Sequence, residues 1–171
     1  QIYAAPGNGG MAADALCTGI GAKDLDAITA FAQENAIDFA VVAPDDPLVL
    51  GAVDRLEAVG IPCFGPNKAA AILEGSKVFS KDLMKKYHIP TAQYQVFDDM
   101  DRALEYLKTA PIPTVVKADG LALGKGVTVA MTRQEAEDAV RACMEDKVFG
   151  ESGSHIVIEE FLTGPEVSVL S

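Results

Sequence analysis

Short runs of apolar residues alternate with amphipathic stretches along the first third of the chain. Ile2-Tyr3-Ala4-Ala5, Phe39 to Val42 and Ile61 to Phe64 read as strands, and the stretch from Asp24 to Asn35 carries the spacing of a helix. Such βα alternation predicts a parallel sheet flanked by helices. Asp46 as a capping side chain and Pro47 at the first helical position predict a further helix. Its apolar residues are Val49, Ala52, Val53 and Leu56, and it ends at Gly60. The loop before it, Ala43-Pro44-Asp45, follows the carboxyl end of a strand, where open α/β sheets bind ligands.

Gly65-Pro66-Asn67 marks a break, and the pattern then changes to helices and hairpins. Ser76 can cap a helix through Tyr87 with Phe79, Leu83, Met84 and Tyr87 along one side, and Ile89-Pro90 ends it. Tyr94 to Phe97 reads as a strand. Met100, Ala103, Leu104 and Leu107 form a helical stripe opened by Asp98 or Asp99. Thr132-Arg133-Gln134-Glu135 is a capping box ahead of the stripe Ala136, Ala139, Val140, Cys143 and Met144. The order from 94 to 160 is thus strand, helix, strand, loop, strand, helix, strand, a small α+β sandwich with a glycine-rich loop at its tip.

Composition narrows the function classes. A chain of 171 residues, 49% hydrophobic, can bury the core of one ordinary domain or two small ones. A net charge of -11 argues against a nucleic-acid footprint, which needs a basic face. Cys17, Cys63 and Cys143 are odd in number and widely spaced, and read as reduced core thiols of a cytoplasmic protein. No apolar run is long enough to span a membrane, and no targeting segment opens the chain. Both ends fall within strand-like runs, so the chain reads as a segment of something longer.

Val115 to Val129 holds a loop with Gly120, Gly124 and Gly126, flanked by Lys117 and carrying Lys125. Glycines let backbone N–H groups approach an anion, and the lysines supply charge, so the loop suits nucleotide phosphates. It is not a Walker A loop: Gly120 and Gly124 enclose three residues, Gly126 follows the lysine, and a strand comes next. Pro6-Gly7-Asn8-Gly9-Gly10 does not have the dinucleotide spacing either. An ordinary hairpin turn is the plain alternative. A second signal is Ile156 to Leu162, an apolar strand leaving into Glu159-Glu160-Phe161-Leu162 with Glu166 beyond. Adenine recognition needs an apolar slot, a carbonyl and an N–H, with a carboxylate for ribose, and this exit can offer them. A solvated strand end is the alternative.

Together these residues resemble the ATP-grasp superfamily. Ala5-Pro6-Gly7-Asn8-Gly9-Gly10, Pro47-Leu48-Val49, Phe64-Gly65-Pro66 and Leu73-Glu74-Gly75-Ser76-Lys77 narrow the resemblance. So do Ile89-Pro90-Thr91-Ala92, Lys117-Ala118-Asp119-Gly120-Leu121-Ala122, Gly124-Lys125-Gly126-Val127 and Glu159-Glu160-Phe161-Leu162. In this order they are similar to the phosphoribosylamine–glycine ligase (glycinamide ribonucleotide synthetase) family. The resemblance implies an α/β fold, with a partial Rossmann-like parallel-sheet domain over 1–66 and connecting helices over 67–93. The small α+β lid of an ATP-grasp fold follows over 94–160, and 161–171 starts the larger subdomain.

It also implies an enzyme that joins glycine to 5-phosphoribosylamine with ATP. Lys77 and Lys117 are implied to hold the α- and β-phosphates. Gly120, Gly124, Lys125 and Gly126 cover the transferred phosphate, with Lys125 catalytic. Glu159, Glu160, Phe161, Leu162 and Glu166 hold adenosine, while Pro6, Gly7, Asn8, Gly9, Asp45 and Pro47 face the phosphoribosylamine. Mg²⁺ or Mn²⁺ ligands are expected beyond Ser171 and none within this segment, so the segment alone is expected not to catalyse the reaction. Where the family usually has Gly-Pro-Glu-Ala-Pro-Leu, this chain has Ala43-Pro44-Asp45-Asp46-Pro47-Leu48. Another ATP-grasp ligase or carboxylase, or an ATP-binding module without catalysis, remains open on the residues alone.

Overall fold

The computed structural model describes residues 1–121, 126–146, 148 and 153–169. Two units partition the chain, Gln1–Gly75 and Ser76–Ser171. The first holds parallel strand pairs with helices, and the second is a small α+β sandwich, which is the α/β class that the alternation of apolar runs predicts.

In the first unit β1 (Tyr3–Ala4) pairs in parallel with β2 (Leu16–Cys17), and β3 (Ala40–Val41) with β4 (Cys63–Phe64). The parallel sheet is therefore present as two short ladders. Asp24 caps α1 (Leu25–Glu34) by accepting from the Ala27 N–H. α1 and α3 (Ala52–Ala58) close a core of Ala32, Val42, Ala52, Val53, Leu56 and Ile61.

The expected single helix from Asp46 to Gly60 is two helices. α2 (Asp45–Leu50) ends at Gly51, whose φ of 96° lets its N–H close on the carbonyls of Pro47 and Leu48, and α3 begins at the next residue. Asp46 is not the cap. Pro44 holds that position without a side-chain bond, and Asp45 and Asp46 lie in the first turn, where their charge favours the helix dipole. The Asp46 carboxylate pairs with Lys23 at 2.7 Å. α4 (Lys68–Gly75) follows β4 and is started by Asn67, whose side chain accepts from the Ala70 N–H.

The second unit opens with α5 (Lys77–Lys86), capped by Ser76. β5 (Tyr94–Phe97), α6 (Met100–Leu107), β6 (Thr114–Ala118), β7 (Val127–Ala130), α7 (Arg133–Met144) and β8 (Ile156–Glu160) follow. Asp99, not Asp98, caps α6, and the capping box at Thr132 and Glu135 opens α7. The sheet is antiparallel throughout, in the order β5-β8-β6-β7. Residues alternate between its faces. Val116, Ala118, Ala130, Ile156 and Ile158 face α6 and α7 and pack with Ala103, Leu107, Ala136, Val140 and Cys143. The other parity, Tyr94, Val115, Lys117, Val157 and Glu159, points away from those helices.

The cysteines are unpaired thiols, but only Cys143 is a core residue; Cys63 is half-buried and Cys17 is exposed. Cys17 lies on β2, a two-residue strand whose pattern is exposed at both positions. Burial pushes the Cys143 thiol pKa up, and burial followed by the charge of Glu57 does the same for Cys63. No helix among the described residues is long and apolar enough to cross a membrane.

Candidate nucleotide site

The register of the central strand builds the site. Antiparallel pairing sets Glu159 opposite Val115 and Tyr94, and Val157 opposite Lys117, so Lys117 and Glu159 are diagonal neighbours on one face. The Lys117 ammonium donates to Glu159 Oε2 at 2.9 Å. A second ammonium reaches the same oxygen: Lys81, from α5, at 3.2 Å. Lys81 and Glu159 are only 7% and 5% exposed, whereas the Lys117 side chain is 27% exposed.

Lys81 is held on every side. It donates to Thr91 Oγ1 at 2.7 Å and to the Ala92 carbonyl at 3.4 Å, and it stands 5.5 Å over the ring of Tyr94. The Tyr94 hydroxyl donates to Asp82 at 2.8 Å, and its pKa is pushed up to about 12 by burial, then by that bond and the Asp82 charge. With the Glu159 charge neutralised by the buried Lys81, the partly exposed Lys117 ammonium is left as the charge that can face an anion. Glu159 Oε1 is buried and has no hydrogen-bond partner among the described residues.

The glycine loop joins β6 to β7, so it is a hairpin connection as well as a candidate phosphate cover. The Ala118 N–H donates to the Gly126 carbonyl at 2.8 Å and closes its base. Asp119 anchors its first turn to the start of α5. The Asp119 carboxylate accepts from the Ser76 hydroxyl at 3.1 and 3.2 Å and from the Val78 N–H at 3.1 Å, a favourable place for an anion at a helix N-terminus. The Lys77 ammonium donates to the Gly120 carbonyl at 2.8 Å, and Gly120 has a φ of 79°. Gly124 and Lys125 lie outside the described residues.

The sheet thus brings Lys117 and Glu159 into contact and ties Lys77 to Gly120. Glu160 donates its N–H to the Gln93 carbonyl at 3.0 Å, and its carboxylate accepts from the Gln93 N–H at 3.2 Å. Phe161, Leu162 and Glu166 follow β8 in exposed coil.

In the first unit, Pro6 to Gly9 follow β1 and Asp45 and Pro47 follow β3. Asn8 Oδ1 accepts from the N–H groups of Gly10 and Met11 and so organises its own loop. Gly7 has a φ of 77°, and a Cβ there would stand 2.3 Å from Cys17 Sγ, so the turn admits only glycine. Pro47 lines a cavity of about 650 Å³ walled by Tyr3, Phe31, Ala40, Val42 and Leu56, and among the described residues no lysine or arginine lines it.

Residues 1–74 match the family model of the phosphoribosylglycinamide synthetase N domain, and residues 75–171 that of the phosphoribosylglycinamide synthetase ATP-grasp (A) domain. The chain belongs to the phosphoribosylglycinamide synthetase family. It is 51% identical over 172 residues to a phosphoribosylamine–glycine ligase of Pasteurella multocida, covering 99% of this chain and 40% of that protein. It is 53% identical over 168 residues to the Mesorhizobium japonicum protein of the same name, covering 98% and 39%. The crystal structure of the phosphoribosylamine–glycine ligase of Thermotoga maritima superposes with a TM-score of 0.73 at 31% identity, over 95% of this chain and 38% of that one. A Campylobacter jejuni biotin carboxylase shares the fold, with a TM-score of 0.72 at 18% identity over 87% of this chain and 35% of its own. The chain spans about 40% of the length of the curated relatives it matches.

Two residues of the site are not foreseen from the sequence. Lys81 falls one helical turn beyond Lys77, the i, i+4 spacing that sets two side chains on one face, and that spacing is the signal that could have found it. Asp119 belongs to the glycine motif, but its bond to the Val78 N–H depends on how α5 meets the sheet.

Proposed function

We propose that this chain forms the N-terminal and nucleotide-lid parts of a phosphoribosylamine–glycine ligase. Residues 1–66 contribute the Rossmann-like part, 67–93 the connecting helices, 94–160 the lid, and 161–171 the beginning of the larger subdomain. In this reading ATP supplies the phosphoryl group that turns the glycine carboxylate, a poor electrophile, into an acyl phosphate. The amine of 5-phosphoribosylamine attacks that carbonyl carbon, the C–N bond forms, the acyl–phosphate bond breaks, and glycinamide ribonucleotide, ADP and phosphate result. The chain's own task is positioning and charge stabilisation.

The observation that carries the reading is the buried carboxylate Glu159 shared by Lys81 and Lys117, with one oxygen left unpaired. Lys117 and Lys77 hold the α- and β-phosphates; Lys77 exchanges its neutral carbonyl acceptor on Gly120 for a phosphate oxygen, a stronger charge-assisted bond. Gly120, Gly124, Lys125 and Gly126 cover the transferred phosphate, with Lys125 neutralising its charge. Glu159, the Glu160 carbonyl, Phe161, Leu162 and Glu166 hold adenosine. Pro6, Gly7, Asn8, Gly9, Asp45 and Pro47 face the phosphoribosylamine. A divalent cation, Mg²⁺ or Mn²⁺, belongs to the proposed reaction; no group of three or more His, Cys, Asp or Glu among the described residues fits one, and no step here is assigned to it. The proposed setting is the cytoplasm.

Two measurements test this. Calorimetric titration of the chain with ATP is expected to give binding that Lys117→Met weakens at least about tenfold, the scale of a lost charge-assisted bond. No binding at millimolar ATP overturns the nucleotide site. For the chemistry, this sequence replaces the matching segment of the Pasteurella multocida ligase, and glycine-dependent ADP release is expected. A hybrid that folds but releases ADP only with bicarbonate favours a carboxylase.

A further inference from the structure

We propose that Lys81 is a positioning residue that sets which purine the site accepts. The inference rests on the nucleotide-binding reading above and goes beyond it by naming what governs base choice. A carboxylate on a strand end can turn about its last torsion, exchanging its two oxygens. Here the turn is blocked from one side. Lys81 and Lys117 both bind Oε2, at 3.2 and 2.9 Å, so the pair leaves Oε1 buried as an acceptor without a donor.

Lys117 alone cannot enforce this. Its side chain is 27% exposed, and a phosphate competes for its ammonium. Lys81 is fixed by Thr91 Oγ1, the Ala92 carbonyl and the Tyr94 ring, and has no phosphate role of its own. It therefore holds Oε2 whether or not a nucleotide is present. An acceptor with no partner in a buried place is relieved by a ligand N–H and opposed by a ligand carbonyl. A 6-amino purine offers the first, and a 6-oxo purine the second. Lys81 thus selects adenine through Glu159 without touching the base.

The test compares ATP, ITP and inorganic tripolyphosphate as ligands of the chain and of Lys81→Met, which keeps the apolar stem and removes the ammonium. The unmodified chain is expected to prefer ATP to ITP by about tenfold or more, and Lys81→Met to bring that ratio below about threefold, with tripolyphosphate binding changed less than about twofold. Equal losses for all three ligands, or an unchanged ratio, overturn the inference. If neither ATP nor ITP binds the unmodified chain, the underlying nucleotide reading fails and takes the inference with it. If Lys81→Met does not fold by far-ultraviolet circular dichroism, Thr91→Val decides. That variant removes the hydroxyl at 2.7 Å but keeps the charge, and a ratio lowered at least about twofold is expected. An unchanged ratio in folded Thr91→Val overturns the inference.

Discussion

Replacing Glu159 by Gln removes one charge and almost no volume, yet it is expected to be among the most damaging single changes in the second unit. At an effective dielectric constant of about 20, each ammonium at roughly 3 Å is attracted to the carboxylate by about 5 kcal/mol, and most of that offsets the cost of taking the charges out of water. Without the anion, Lys117 can turn toward solvent, because its side chain is 27% exposed. Lys81 cannot: at 7% exposure it stays buried, with Thr91, Ala92, the Tyr94 ring and the neutral amide oxygen of the new Gln in place of the anion. Leaving a buried charge unpaired costs about 3–5 kcal/mol, and those remaining contacts favour the lower end, about 3 kcal/mol. Lys81→Met should be milder, about 1–3 kcal/mol, because Glu159 keeps Lys117 at 2.9 Å. Urea unfolding, followed by hydrogen exchange of the β8 amides so that the second unit alone is read, measures both. With a slope of about 1–3 kcal/mol per molar urea, Glu159→Gln lowers the midpoint by about 1–3 M. A loss below about 1 kcal/mol, or a larger loss for Lys81→Met than for Glu159→Gln, refutes the unequal burial on which this ranking stands.

Asp119→Ala removes the acceptor for the Ser76 hydroxyl and the Val78 N–H. It is expected to cost about 1–2 kcal/mol, and Asp119→Asn less than about 1 kcal/mol, read as thermal midpoints of the second unit at ~4–8 °C per kcal/mol. Tyr94 binds its proton more tightly folded, at about 12, than unfolded, near 10, so its contribution is whole below about pH 10 and is lost as pH rises through 10 to 12. A near-ultraviolet titration should show a tyrosine step near pH 12, and Asp82→Asn should move that step down. With a chromogenic disulfide reagent Cys17 is expected to react first, Cys63 more slowly, and Cys143 only on unfolding. Simultaneous reaction of all three would contradict the burial order.

Much of the scaffold is legible in the chain because local chemistry and tertiary structure agree there. The cap at Asp24, the capping box at Thr132 and Glu135, and the uninterrupted apolar run of β8 each point to the element that forms. The helix after residue 44 misleads because Val49, Ala52, Val53 and Leu56 keep helical spacing across Gly51, and spacing does not record the sign of a glycine φ. β2 escapes because two residues carry no period, and its thiol is exposed for the same reason: a short edge strand covers little. Lys117 and Glu159 are recognisable as family residues, but their contact is a property of register between strands about 40 residues apart. Lys81 is hidden by its type, since a lysine on a helix is ordinarily solvated.

The strand order has a consequence for how the protein is made. β8, the last of this sheet's strands among the described residues, lies between β5 and β6, so two edges stay open until residue 160 has been added. Roughly 60 residues separate β5 from its partner, which at ~5–20 residues per second is about 3–12 s of synthesis with unpaired edges. The long loop closure also makes this pairing an intrinsically slow event. Because Glu159 arrives with β8, the lysines meet their counter-ion only when the sheet is sealed, so closure of this sheet and formation of the charge cluster are a single event in time.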